Sequence, residues 1–208
     1  MTKTKPIIKL RNGIYGFFCI GVSLYALSHF FRDDFYSFKI NGAADASIWR
    51  VAFHMHFIGG AIALGLGWTQ FLKNFRSKYI QIHRRIGYLY IVAIVLISSP
   101  AAFYMAIYAN GGFNNILGFG MMALCWFAFT VLAFNRIKGG DIQAHERWMI
   151  RSFAVTLGAV TLRIFMPLMI VAGVPDTEAY QAISWFCWVP NLFVAEWIIQ
   201  RKYLSTTP

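Results

Sequence analysis

Apolar residues recur along the chain in six long runs separated by short polar segments. The runs cover residues 12–31, 50–72, 84–108, 114–135, 147–172 and 181–200 and are called spans 1 to 6 below. Each run holds about 20 residues or more, the length of helix needed to cross the hydrocarbon core of a bilayer. The segments between them concentrate Gly, Asn, Pro and charge, as loops do. The pattern predicts an all-α, polytopic membrane protein with six transmembrane helices in one bundle, forming a single domain over residues 1–208.

The composition supports this prediction and excludes a soluble domain. Hydrophobic residues make up 58% of the chain, aromatic residues 18% and charged residues only 13%. A soluble domain normally carries about 25% charged residues. The three cysteines, Cys19, Cys125 and Cys187, all fall in apolar spans without metal-ligand spacing, so we expect them to be buried apolar side chains rather than ligands or disulfides.

The basic residues collect on one side of the predicted bundle. Of the 19 Lys and Arg residues, 14 fall on that side: Lys3, Lys5, Lys9, Arg11, Lys73, Arg76, Lys78, Arg84, Arg85, Arg136, Lys138, Arg147, Arg201 and Lys202. The opposite side carries three basic residues and five acids, which are Arg32, Lys39, Arg50, Asp33, Asp34, Asp45, Asp176 and Glu178. Because loops rich in Lys and Arg stay in the cytoplasm, both termini are predicted to be cytoplasmic.

This orientation accounts for the net charge of +11 without a nucleic-acid partner. We expect a multi-pass membrane protein, with the lipid bilayer as its main partner and no nucleic acid bound. The first span is too long for the apolar region of a signal peptide and lacks a clear cleavage site, so we expect it to be a mature helix.

Polar residues inside the spans carry the functional information, since they are costly in lipid and usually face the bundle interior. In span 2, small and polar residues follow His56 at helical spacing: Gly59, Gly60, Ala63, Gly67 and Gln70. Such a stripe lets another helix or a flat cofactor approach closely. His54 lies about 200° around the helix, on a bulkier face. We therefore predict that His56, and not His54, faces inward.

The segment "RIKGGDIQAHERWMIRSF", residues 136–153, opens span 5 and carries a second polar stripe. Gly139 and Gly140 are predicted to end the preceding helix, and Asp141 to cap the next one. Arg163 follows His145 by 18 residues, five full helical turns, so both should lie on one face about 27 Å apart. We predict that this helix forms one wall of an internal cleft.

Two polar levels result from this placement. The inner level holds His83 and His145, flanked by Arg84 and Arg151. The outer level holds His56 and Arg163, with His29 at the end of span 1 as a further candidate. Arg151 stands on another face of its helix and either reaches lipid phosphates or completes the inner site.

Two imidazoles from different helices at one depth are the usual axial pair for haem b. Arg side chains suit haem propionates or the anionic or polar groups of a quinone-like molecule. Alternatively, His83, His145, Glu146 and Asp141 would hold a divalent metal at the inner surface. The sequence contains no HExxH, CxxC, CxxCH, Walker A or GxGxxG motif.

Three segments, "FHMHFIGGAIALGLGWTQF", "HRRIGYLYIV" and "HERWMIRSFAVTLGAVTLR", resemble the bacterial membrane family catalogued as domain of unknown function 2306. The resemblance covers roughly residues 50–170. The family pattern matches at His56, Gln70, His83, Arg84, Gly87, Tyr90, His145, Trp148, Met149 and Arg151. This resemblance brings no established activity, but it implies a bacterial cytoplasmic (inner) membrane as the location. Gln70 and Tyr90 join the histidines and arginines as candidate cofactor-binding residues.

The chain also has a looser likeness to the six-helix, ascorbate-dependent transmembrane cytochromes b, which place two haems in a four-helix core. This chain offers His56, His83 and His145 in spans 2, 3 and 5, but span 4 has no His. Met121 and Met122 stand where the missing ligand would belong. The likeness therefore favours an inner His83–His145 pair over an outer bis-His haem.

Three kinds of function follow from these residues. The first is a membrane-embedded redox protein that binds haem b or a quinone-like cofactor and passes electrons to or from a partner, which would be another membrane or redox protein. The second is a metal-dependent membrane enzyme or a small-solute carrier. The third is a non-catalytic accessory subunit of a membrane complex.

Overall fold

The computed structural model describes residues 4–28 and 46–203, and these residues form helices and turns with no strand. Five helical stretches are long and apolar enough to cross a membrane: Ser47–Phe71, Ile80–Ile107, Phe113–Lys138, Ile142–Val171 and Asp176–Tyr203. They coincide with the predicted spans 2 to 6. Span 1 belongs to a helix, Thr4–Ser28, with a shorter apolar part at Gly16–Tyr25. The end of its predicted range, including His29, lies outside the described residues.

Several spans are composed of consecutive helical pieces. Span 2 is the α-helix Ala46–Gly67 continued by the 3₁₀ turn Trp68–Phe71, and the short helix Lys73–Lys78 connects it to span 3. Span 3 comprises the α-helix Ile80–Val92, the π-helical segment Ala93–Ser98 and the α-helix Ser99–Ile107. Span 4 is the continuous helix Phe113–Lys138. Span 5 divides into Ile142–Thr156 and Gly158–Val171, and span 6 into Asp176–Phe186 and Val189–Tyr203.

Proline explains part of this segmentation. Pro100 stands in the first turn after the π-helical segment and cannot donate a hydrogen bond to the carbonyl of Leu96. Pro167 lies inside span 5 and likewise leaves the carbonyl of Arg163 without its helical donor. Short π-helical turns occur inside α-helices, often at functional sites. Here the π-helical segment ends at Ser98, whose hydroxyl donates to the His56 carbonyl of span 2.

The predicted entry to span 5 is confirmed. Span 4 ends at Lys138, and Gly140 adopts a φ of +81°, a left-handed conformation that favours glycine. The amide of Asp141 donates to the carbonyl of Arg136 at 3.0 Å, and the Asp141 carboxylate accepts from the amide of Ala144 at 2.9 Å. The carboxylate thus caps the new helix, as the sequence predicts.

Span 4 occupies the middle of the bundle, packed against spans 3, 5 and 6. Span 2 packs against spans 1 and 3. The largest apolar cluster combines Ala63, Tyr90, Trp126, Met149 and Val155 from four different spans. We call the end of the bundle that carries residues 73–79 and 136–141 the inner end, and the opposite end the outer end.

Candidate functional site

His83, in the first turn of span 3, and His145, in the first turn of span 5, both lie at the inner end of the bundle. The Nδ1–H of His145 donates to the carbonyl oxygen of Ala133 at 2.8 Å. A carbonyl can only accept, so Nδ1 carries the proton in the neutral ring and Nε2 holds the free lone pair. The Nδ1 atom of His83 is fully buried and has no hydrogen-bond partner among the described residues. A positive charge on His145 would disfavour one on His83, because the two rings are near enough for their charges to interact.

Two guanidinium groups lie near enough to His83 for their charges to act on it. The charges of Arg76 and Arg84 both act on its ring. Arg84 was predicted to flank this pair, whereas Arg76 was not. Arg76 lies on the short helix between spans 2 and 3, which brings it back over the opening of span 3. The inner level is therefore more strongly cationic than the sequence suggested.

The carboxylates predicted to complete a divalent metal site are engaged elsewhere. The Asp141 side chain caps span 5. Glu146 accepts hydrogen bonds from Lys202 at 2.5 Å and from Tyr203 at 2.6 Å, and it pairs with Arg76 at 3.5 Å. Within the described part of the chain, no three His, Cys, Asp or Glu side chains gather in a way that would hold a metal ion. The four-residue metal set is thus not assembled.

Arg151 does not complete the inner pair. Its Nε and Nη2 atoms donate to the two carboxylate oxygens of Glu196 in span 6, at 2.5 and 2.8 Å. Its guanidinium also lies over the ring of Trp148, 4.5 Å from the centroid. Arg151 follows His145 by six residues and so faces a different neighbour. Arg151 thus faces span 6, whereas the His145 ring contacts span 4, and the partner found for Arg151 is the Glu196 carboxylate.

At the outer level, His56 faces span 3. The Ser98 hydroxyl donates to the His56 carbonyl at 2.8 Å, so its oxygen is free to accept from His56 Nδ1–H at 3.1 Å. The Ser98 carbonyl is a second acceptor for Nδ1 at 3.3 Å. Both arrangements place the proton on Nδ1 and leave Nε2 as the free nitrogen. By contrast, His54 contacts the carbonyl of Arg50 in its own helix at 2.8 Å.

Arg163 also belongs to this level and does not face lipid alone. Its Nη1 donates to the carbonyl of Ala159 at 2.9 Å, and its guanidinium lies 5.3 Å from the ring centroid of Tyr25 in span 1. Its charge acts on His56. A carbonyl partner was among the expected ones, while the contact with span 1 was not.

The two methionines considered as substitute ligands lie in different surroundings. Met121 is 42% exposed on the outside of span 4. The sulfur of Met122 lies 3.9 Å from that of Cys187 in span 6. Neither methionine therefore supports an outer haem with a Met ligand.

The small-residue stripe of span 2 is occupied by span 3. A Cβ on Gly59 would lie 2.6 Å from the carbonyl oxygen of Ala93, and a Cβ on Gly67 would lie 2.7 Å from the Tyr90 ring. Gln70, which is 6% exposed, lies against Gly87. The predicted close approach is thus made by a helix, and no room is left there for a flat cofactor.

A buried network of hydroxyl groups fills the space between the two levels. The Tyr90 hydroxyl lies 2.9 Å from Ser152 Oγ and 3.0 Å from Thr156 Oγ1. Thr130 Oγ1 lies 2.8 Å from Ser152 Oγ, and Trp126 Nε1–H donates to Thr156 at 2.9 Å. All five side chains are at most 5% exposed. The predicted cleft wall is therefore a packed, hydrogen-bonded layer, and Tyr90 stabilises the bundle rather than lining an open site.

Sequence reasoning missed Ser98, Trp126 and Thr130 because each is an ordinary polar or aromatic residue in an apolar run. Ser152 and Thr156 were visible on the line from His145 to Arg163, but their partners come from other spans. The adjacent "SSP" at residues 98–100 was the available signal, since polar residues beside a proline indicate an adapted helix.

These features define a polytopic helical membrane protein with paired histidines at the inner end of its bundle. The model of a family of predicted membrane proteins, DUF2306, matches residues 53–199, and the chain belongs to this family. The match extends through most of span 6, beyond the core recognised from motifs. Neither a curated protein nor a solved structure matches the chain. The likeness to transmembrane cytochromes b stays a prediction.

Proposed function

We propose that this protein is a membrane-embedded redox protein whose cofactor is held at the inner level by His83 and His145, with haem b as the group that this pair suits best. The observation that supports this most strongly is the hydrogen bond from His145 Nδ1–H to the Ala133 carbonyl. Histidines that ligate metals usually donate their other ring N–H to a carbonyl or carboxylate, which fixes the tautomer and makes the ligating nitrogen more basic.

The remaining groups at the inner level fit the charge of this cofactor. The Nδ1 atom of His83 has no hydrogen-bond partner within residues 4–28 and 46–203, and the charges of Arg76 and Arg84 act on the ring. Haem b brings two propionates, which guanidinium groups bind well. When bound, haem supplies one-electron chemistry. The role of the chain is to present two imidazole nitrogens and to hold the propionates with arginine.

A divalent metal ion without haem is the weaker candidate. Two imidazoles would be its ligands, but the nearby carboxylate of Glu146 is engaged by Lys202 and Tyr203. A bare dication would also lie beside Arg76 and Arg84, whose charges repel it. A quinone-like cofactor would also bind arginine. It would not explain why the hydrogen bond to Ala133 fixes the His145 tautomer that leaves Nε2 able to bind a metal.

The absorption spectrum of the purified full-length protein tests this proposal. A Soret band is expected, and His83→Ala and His145→Ala should each remove most of it. The matched control is His54→Ala, because the His54 ring contacts the Arg50 carbonyl of its own helix, near the outer end of span 2. A colourless protein that also lacks transition metal by elemental analysis would contradict the proposal. Equal loss from His54→Ala would do the same.

We also propose that the inner end faces the bacterial cytoplasm, with electrons exchanged with a membrane or redox partner. The supporting observation is the grouping of basic residues at that end. Single cysteines at Lys138 and Glu178, in a background with the three native cysteines replaced by alanine, test the orientation. A membrane-impermeant maleimide should label the cysteine at Glu178 in intact cells and the one at Lys138 only after lysis. The reverse pattern would refute the orientation.

A further inference from the structure

Arg163 of span 5 is held by fewer hydrogen bonds than Arg151 of the same span. Arg163 lies eight residues before the end of the span at Val171, about 12 Å from the outer end by helix rise. Its Nη1 donates to the Ala159 carbonyl. Its Nε is fully buried and has no hydrogen-bond partner among the described residues. The side chain as a whole remains partly exposed.

Arg151, in the same span, shows how a guanidinium group of this protein binds a carboxylate. It uses the Nε and Nη2 edge of its guanidinium to hold both oxygens of the Glu196 carboxylate. The carbonyl contact of Arg163 uses only Nη1, so the corresponding Nε–Nη2 edge is left without a described partner at Nε. Among residues 4–28 and 46–203, the ion pairs found do not include Arg163. A positive charge at this depth is costly unless an anion or several polar groups compensate it.

We propose that Arg163 forms an outer binding site for a carboxylate, which its Nε–Nη2 edge would hold with two parallel hydrogen bonds. A carboxylate fits better than a phosphate because its two oxygens match one guanidinium edge and its single charge balances that of Arg163. The Tyr25 ring, 52% exposed, lies over the guanidinium and would contact the body of the ligand.

The carboxylate could belong to a bilayer amphiphile or to a solute from the outer aqueous phase, and two probes distinguish these sources. The full-length protein in zwitterionic phosphatidylcholine nanodiscs is titrated with radiolabelled oleate in one arm and with radiolabelled benzoate in the other. One of the probes should bind saturably, with one molecule per chain. Arg163→Gln should weaken this binding by about tenfold or more, the usual effect of losing hydrogen bonds to a charged group.

Two further variants keep the experiment informative. Arg163→Lys keeps the charge but lacks the planar edge, so its binding should fall between that of the wild type and that of Arg163→Gln. Arg85→Gln, which removes an exposed arginine near the inner end, should bind like the wild type. If Arg163→Gln is not recovered as a monodisperse protein, Arg163→Lys decides, and wild-type affinity in that variant would overturn the proposal.

Two other results would also overturn it. One is the absence of saturable binding of either probe to the wild type. The other is binding that appears only when Asp33 and Asp34 are both replaced by Asn, because the arginine would then serve the chain's own carboxylates. The inference does not depend on haem at the inner level, since the probes report on a colourless protein equally well.

Discussion

The hydroxyl of Tyr90 should contribute measurably to the stability of the bundle, although it touches no cofactor. The Tyr90→Phe substitution removes one oxygen that lies 2.9 Å from Ser152 Oγ and 3.0 Å from Thr156 Oγ1. The ring is fully buried and would keep its contacts with Gly67 and Phe153. The change therefore isolates two hydrogen bonds that join span 3 to span 5.

Hydrogen bonds between membrane helices contribute about 0.6 kcal/mol each on average, and buried hydrogen bonds in soluble proteins about 1 kcal/mol. Two of them give a loss of about 1–2 kcal/mol for Tyr90→Phe. No larger penalty is expected, because Ser152 keeps Thr130 as a partner and Thr156 keeps Trp126. Removing the whole ring in Tyr90→Ala would leave a cavity and should cost about 3–5 kcal/mol.

Thermal unfolding of the protein in detergent, followed by tryptophan fluorescence, measures this effect. For a chain of this size, a loss of 1–2 kcal/mol corresponds to a Tm lower by roughly 2–8 °C. Tyr88→Phe is the matched control, because Tyr88 lies half a turn away in span 3 and is 60% exposed. Its Tm should stay within about 1 °C of the wild type. A Tm for Tyr90→Phe equal to that of Tyr88→Phe would show that the hydroxyl network does not stabilise the bundle.

Two further predictions concern contacts between spans. Gly59→Ala should lower the free energy of unfolding by about 1–3 kcal/mol, because the new methyl group would lie 2.6 Å from the Ala93 carbonyl oxygen. In Gly60→Ala, the new methyl group would lie near only one atom, at 3.6 Å, so this control should be neutral or slightly stabilising in the same unfolding assay. Similar losses of stability from both substitutions would contradict the packing described for span 2. The Arg151–Glu196 pair should show a coupling energy of about 0.5–2 kcal/mol in a double-mutant cycle with Arg151→Gln and Glu196→Gln. Additive losses in that cycle would mean that solvent or lipid replaces the ion pair at no cost.

The sequence by itself determined the features that depend on one helix at a time. The apolar runs located spans 2 to 6, because the length needed to cross a bilayer is a property of each segment alone. The Gly140 turn and the Asp141 cap were predictable for the same reason, since both arise from hydrogen bonds within a few residues. Helical periodicity also separated His56 from His54 and placed Arg151 on a different face from His145.

Only the tertiary structure decided which neighbour each of these faces meets. Periodicity gives the direction of a side chain on its own helix, but the position of the other helices fixes its partner. Arg151 therefore meets Glu196 from span 6, and Arg163 lies beneath Tyr25 from span 1. The small residues after His56 are compatible with close approach of either a cofactor or a helix, and in the structure span 3 packs against them. The hydroxyl network combines residues up to 66 positions apart, and it exists only because the bundle brings three spans together in lipid, where buried polar groups must bind one another.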